Sequence, residues 1–157
     1  MRTTIEQIIK VRLILRKNSK ILILEKSKIE GGGFSLIGGR VKNTESATKA
    51  LVRETKEEAD IKVYADKLKL VHVAHRLKAG QPVITLFFET DEWEGKIKNL
   101  EPKLHKDFEW VSLKSIPKAM TDYIKNALNC YQEGITYSEF NWKPNNKVLP
   151  KKVLKEK

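Results

Sequence analysis

The chain reads as an α/β domain in which a mixed sheet is covered by helices. Three observations carry that expectation. Of 157 residues, 40% are hydrophobic and 32% charged, which supplies one core under a charged surface but not two domains of ordinary size. Strand-like and helix-like segments follow in the order β-β-β-α-β-β-β-α. The longest apolar runs, such as Val83 to Phe88, have strand length and cannot span a bilayer. Collagen-like, disulfide-framework and wholly disordered classes are excluded by the same composition.

Each element has its own signal. Ile5 to Arg16 and Ile21 to Glu25 are rich in leucine and β-branched residues and are separated by Lys17-Asn18-Ser19-Lys20, a hairpin pattern. Glycines 31 to 33 mark a loop, but they lack the following Gly-Lys-Ser/Thr of a phosphate-binding P-loop. Phe34 to Ile37 form a short strand that stops at Gly38-Gly39. Thr44 is the expected N-cap of a helix reaching Ala59, with Glu45 at the positive end of its dipole. Strands follow at about 61–76 and 82–90, then a turn near Trp93-Glu94-Gly95 and a strand ending at Phe108 to Val111. Pro117 precedes a last helix from Thr121 to Glu133, closed by Gly134. Past residue 142 come Pro144, Pro150 and six lysines, an extended tail. The expected division is therefore a domain over 1–142 and a Lys-rich tail over 143–157.

The 31 basic and 20 acidic residues give a net charge of +11. Such a field attracts nucleic acid, nucleotide phosphates or an anionic membrane. Nucleic acid is the less favoured partner. Only six of the basic residues are arginine, the better fork for phosphates and base edges, and a net +5 sits in the tail. A single cysteine, Cys130, and an amino terminus without an apolar h-region point to a cytoplasmic protein with no membrane association. Monomer and homodimer are equally compatible with the sequence.

The chemistry concentrates between Gly38 and Ile61. On a helix turning about 100° per residue from Glu45, Glu54 falls near 180°, Glu57 near 120° and Glu58 near 220°. Ala47 and Ala50 lie in the same stripe, so three carboxylates share one face with small residues. Carboxylates about 6 Å apart repel by roughly 1–3 kcal/mol at a surface-like dielectric. Arg53, four residues before Glu57, offsets part of this. A divalent cation would offset more, and hard oxygen donors suit magnesium or manganese. Gly38-Gly39 lets backbone come close enough to reach the same ion or a phosphate. The alternative is an exposed Glu/Lys helix held by pairs such as Glu45–Lys49.

These residues resemble the Nudix box: Gly, five residues, Glu, seven residues, then Arg-Glu-aliphatic-x-Glu-Glu-x-Gly-aliphatic. Gly39, Glu45, Arg53, Glu54, Glu57, Glu58 and Ile61 are in register. Thr55 stands in place of the aliphatic residue and Asp60 in place of the glycine, and Asp tolerates a left-handed C-cap. Trp93-Glu94-Gly95, Asn99 to Pro102, Glu109 to Val111 and Ile116-Pro117 are similar to the C-terminal half of MutT-type nucleotide hydrolases. The likeness extends over about residues 5 to 142.

The resemblance implies a Nudix-type α/β/α sandwich with a mixed central sheet. It also implies magnesium-dependent hydrolysis of a nucleoside diphosphate linked to a further group, most simply a nucleoside triphosphate cut to monophosphate and pyrophosphate. By position, Glu54, Glu57 and Glu58, with the Gly38 carbonyl, are the implied metal ligands. Arg53 orients them, Glu45 and Gly39 shape the box, and Glu54 or Glu101 serves as general base. Arg40, Phe34 and His105 are the candidate substrate contacts, although Phe34 has equally the look of a core residue. Two alternatives remain: removal of pyrophosphate from the 5′ end of RNA, and a nucleotide- or RNA-binding module without turnover. His72 and His75 stand at odd separation on one strand and cannot chelate together. Trp93, Trp110 and Trp142 are expected to pack rather than stack on a base.

Overall fold

The computed structural model describes residues 6–142. The expectations for Ile5 and for the tail at 143–157 lie outside those residues. Two strands, β1 (Ile8–Lys17) and β2 (Lys20–Lys26), are apolar on both faces because both faces are covered. Val11, Leu13, Leu15, Leu22 and Leu24 enter one core cluster, and Ile14, Ile21 and Ile23 enter the other. Each such side chain taken out of water contributes roughly 1.5–3 kcal/mol before entropy is counted. The first cluster receives Ala50, Leu51 and Ala59 of α1 (Ala47–Ala59); the second receives Tyr123, Ile124, Ala127 and Leu128 of α2 (Asp122–Gln132). One helix on each face of a sheet is the expected sandwich.

Between β2 and α1 lie β3 (Phe34–Ser35) and β4 (Gly38–Arg40). After α1 come β5 (Lys62–Val63), β6 (Lys69–Lys78), β7 (Gln81–Thr90), β8 (Trp93–Glu94) and β9 (His105–Ser112), and after α2 comes β10 (Tyr137–Phe140). The large sheet runs β10-β6-β7-β1-β2-β3, with β4 also on β1 and β9 also on β2. The β1–β7 and β10–β6 pairs are parallel and the others antiparallel, so the sheet is mixed. The β1–β2 hairpin pairs only at Arg16↔Ile21 and Lys17↔Lys20, since β1 spends Ile8 to Leu15 on β7 and β2 spends its length on β9.

Three expectations are corrected. The N-cap of α1 is Ser46, not Thr44: its side chain accepts from the Lys49 amide at 3.4 Å. Glu45 therefore precedes the helix and folds back, accepting from the Lys42 amide at 2.9 Å, instead of sitting on the dipole. The strand expected at 61–76 is two strands, interrupted by a 3₁₀ turn at Ala65–Lys67. Lastly, β10 was not anticipated. It is short, and it is held by non-local contacts: His72 Nδ1 lies 2.8 Å from the Ile135 carbonyl and Nε2 2.8 Å from Ser138 Oγ. Asp60 does cap α1 in the left-handed region, at φ 56°.

Candidate active site

The turn from β3 to β4 delivers the backbone of Gly38 and Gly39 against α1. At Gly39 a Cβ would stand 2.6 Å from Glu54 Cδ, and at Gly38 it would stand 2.9 Å from Arg12 Cδ. Neither position has room for a side chain, so the glycines permit the contact that builds the site. The Gly38 amide donates to Glu58 Oε2 at 3.2 Å.

Arg53 organises the carboxylates. Its Nη2 lies 2.6 Å from Glu45 Oε1 and 3.2 Å from the Arg40 carbonyl, and Nε is 3.0 Å from Glu45 Oε2. From the same guanidinium, Nη1 reaches Glu54 Oε1 at 3.0 Å and Glu57 Oε2 at 3.2 Å. A planar fork with five donors can bridge three acids in this way, and an ammonium cannot. The hydrogen bond from Arg53 and that from the Lys42 amide hold the Glu45 carboxyl down at about 2. Glu45 is therefore an anion that ties the loop before α1 to the middle of the helix.

The three helix acids differ in exposure: side chains of Glu57, Glu54 and Glu58 are 50%, 15% and 6% accessible. Burial pushes Glu54 up to about 7, aided by a hydrogen bond shared with Glu58 and by the charge of Glu58, while Arg53 acts against it. Two carboxyl groups so placed disfavour a second negative charge, which a divalent cation would offset, and an all-oxygen donor set suits a hard ion. Among the described residues no three His, Cys, Asp or Glu side chains form a ready-made metal cage, and the Glu57 carboxylate is engaged by Arg53. Glu57 is the most exposed of the three.

Other candidates fall into two places. His105 Nε2 lies 3.3 Å from Glu58 Oε1, and the hydrogen bond to Glu58 raises its pKa against the effect of burial. With Arg12, Lys26, Glu30, Gly38 and Glu58 it lines a cavity of 190 Å³. Glu101 lies in the loop before β9, where its carbonyl accepts from the Leu104 and His105 amides and its charge is felt at His105. Phe34 packs half-buried beside the α2-side core and is pinned to the loop before α2 by its amide on the Ala119 carbonyl at 2.9 Å. Arg40 is exposed and lines a different hollow, with Lys42, Asn43 and Glu45 on the far side of the box. The structure therefore brings Gly38, Gly39, Glu45, Arg53, Glu54, Glu57, Glu58 and His105 together, with Glu101 adjoining and the Arg40 side chain apart. Arg12 and Lys26 were missed, although an arginine between Val11 and Leu13 was a visible signal.

The NUDIX domain family model matches residues 8–129. Among solved structures, the chain is similar to the MutT NUDIX hydrolase from Burkholderia pseudomallei, with TM-score 0.72, 22% identity, and 79% of this chain and 97% of that one covered. The MutT protein from Methanosarcina mazei Go1 gives TM-score 0.70 at 21% identity, covering 84% and 97%. An ADP-ribose pyrophosphatase from Streptococcus suis gives TM-score 0.58 at 18% identity, covering 80% and 90%. Those likenesses establish the fold, and the family match spans both strands and helix that build the carboxylate site. The chain belongs to the NUDIX domain family.

Proposed function

We propose that the chain is a Mg2+-dependent hydrolase of the pyrophosphate bond in a nucleoside diphosphate-X substrate, with a nucleoside triphosphate cut to monophosphate and pyrophosphate. The observation that carries this reading is the Glu54–Glu58 pair, seated on Gly38-Gly39 and braced by Arg53 at the edge of a cavity that also presents Arg12 and Lys26. A bound magnesium ion, or manganese in its place, would neutralise phosphate oxygens and ease deprotonation of water. The residues that would hold it are Glu54, Glu57, Glu58 and the Gly38 carbonyl. Arg53 keeps the carboxylates oriented, and Glu45 anchors Arg53. Glu54 or Glu101 accepts the proton of the attacking water, while His105 stands beside Glu58 within reach of a phosphate oxygen. Residues 1–142 form the hydrolase unit in this proposal, working in the cytoplasm, with 143–157 as a basic appendage. Phe34 contacts substrate from the rim, whereas the Arg40 side chain, lining a separate hollow, would meet only a part of the substrate that extends past the box.

The likeness to an ADP-ribose pyrophosphatase supports a second substrate, ADP-ribose, for the same site. A panel of normal and oxidised nucleoside triphosphates, ADP-ribose and 5′-triphosphorylated RNA, assayed with and without magnesium, tests both. Turnover of a triphosphate that needs magnesium and is lost in Glu57→Gln is the expected result. Indifference to the metal and to that substitution would overturn the assignment.

A further inference from the structure

Arg12 interrupts the core-facing alternation of β1, on the side covered by α2. Its Nη1 donates to the Leu36 carbonyl at 2.9 Å and its Nε to the Tyr123 hydroxyl at 3.3 Å. The Arg76 guanidinium lies over the Tyr123 ring, 3.7 Å from its centroid. Sheet register extends the group: Lys10 and Thr85 are paired, Thr85 and Ala74 are paired, and Arg76 and Lys78 follow Ala74 at two-residue steps. Side chains in such register share one face. Lys10, Arg12 and Arg76 therefore gather around one tyrosine on the α2 side of the sheet, with exposed Lys78 further along the same face.

The acid they face directly is the Tyr123 phenol, whose pKa the charges of Arg12 and Arg76 bring down against the effect of burial. Among the described residues none of the four is salt-bridged. Arg76 Nε and the Thr85 hydroxyl are buried without a hydrogen-bond partner. Buried donors are nearly always satisfied, so two orphans in one cluster mark a place where the chain leaves polar groups without internal partners. Burial and the charge of Arg12 push Lys10 down to about 8, and burial lowers Arg76. The cluster also adjoins the carboxylates, because Arg12 is the register partner of Gly38 and lies within the field of Glu58 and Glu54.

We propose that Lys10, Arg12 and Arg76, arranged around Tyr123, form a subsite for a phosphate group of the substrate lying beyond the two phosphates of the scissile bond. This rests on the hydrolase reading and sharpens it. A nucleoside triphosphate carries such a third phosphate; ADP-ribose carries two phosphates only, both flanking the bond that breaks, and has nothing anionic to offer the cluster. Guanidinium groups suit phosphate because they fork onto two oxygens, and a group of them without a salt bridge among the described residues waits for an anion rather than a neutral base.

The test uses the full chain and two readouts. Inorganic triphosphate, titrated in EDTA by calorimetry, should bind about ten-fold more weakly to Arg76→Gln and to Lys10→Gln. The exposed control Lys62→Gln should stay within about two-fold, and Arg76→Lys should recover part of the loss. With magnesium, both cluster variants should raise KM for a nucleoside triphosphate about ten-fold while kcat and the KM for ADP-ribose hold. An equal loss in Lys62→Gln, equal effects on both nucleotides, or a wild-type preference for ADP-ribose would overturn the subsite. Cluster-dependent binding of inorganic triphosphate with no turnover of any nucleotide would uphold an anion site and instead sink the hydrolase reading. Lys10 and Arg76 lie on different strands, so a folding defect in one leaves the other to decide.

Discussion

Glu57 and Gly39 show how unequal the box residues are. Glu57 is half-exposed and, among the described residues, ion-paired with Arg53, so Glu57→Gln should fold normally. If it ligates the cation, magnesium-dependent turnover should fall about 10²-fold or more, since the bound cation supplies several kcal/mol of transition-state charge stabilisation and the variant holds it less well. Steady-state kinetics beside a melting curve separates the two effects. Gly39→Ala is the converse case. Its methyl would overlap the Glu54 carboxyl, an overpacking cost of about 1–3 kcal/mol. Thermal unfolding should drop by several degrees, and activity should fall with it because Glu54 is displaced. The box was legible from residue types and spacing alone, since each of its members acts through contacts within one turn, one helix and one adjoining loop. Arg12 was not read as functional, because its partners Leu36, Tyr123 and Gly38 come from three other parts of the chain.

At the scale of elements, α1 is the piece that must be built well. Ser46 caps it, Asp60 ends it, and Thr55 substitutes for an aliphatic residue at no polar cost because its buried hydroxyl donates to the Leu51 carbonyl at 2.7 Å. Ser46→Ala should cost about 1 kcal/mol and lower the melting temperature by about 2–4 °C, whereas Thr44→Ala should stay within about 0.5 kcal/mol. Thermal denaturation of the pair checks which residue caps the helix. Two neighbouring hydroxyl residues, Thr44 and Ser46, are equally good caps on paper. The choice falls to Ser46 because the preceding Glu45 is drawn back onto Arg53 and the Lys42 amide, which starts the helix two residues later. Likewise β5 and β6 are separated by a 3₁₀ turn at Ala65–Lys67 that no glycine or proline announces, Asp66 being its one turn-forming residue.

For the whole molecule, the basic cluster makes a statement about stability as well as binding. The Lys10 pKa is depressed on folding, from 10.5 to about 8, so between those pH values the unfolded chain binds more protons than the folded one. Stability from this group therefore rises as pH climbs through that window and is flat below it. Urea midpoints measured across it should rise less steeply in Lys10→Gln than in wild type, and the variant should be no less stable at neutral pH. Saturating inorganic triphosphate should raise the wild-type midpoint more than that of the variant, since a ligand bound only to the native state stabilises it by mass action.

The sequence by itself determined the layers of the fold, the acid-bearing helix and the identity of the acids upon it. Hydrophobic alternation, a glycine pair and a fixed carboxylate spacing are local physics, and local physics survives being read one window at a time. Tertiary structure decided what those acids face. Burial graded Glu58, Glu54 and Glu57 from hidden to exposed, sheet register gathered Lys10, Arg12 and Arg76 from two strands around Tyr123, and parallel pairing recruited β10 to β6. Those outcomes depend on which distant segments share a face, and neither charge nor periodicity along the chain carries that information.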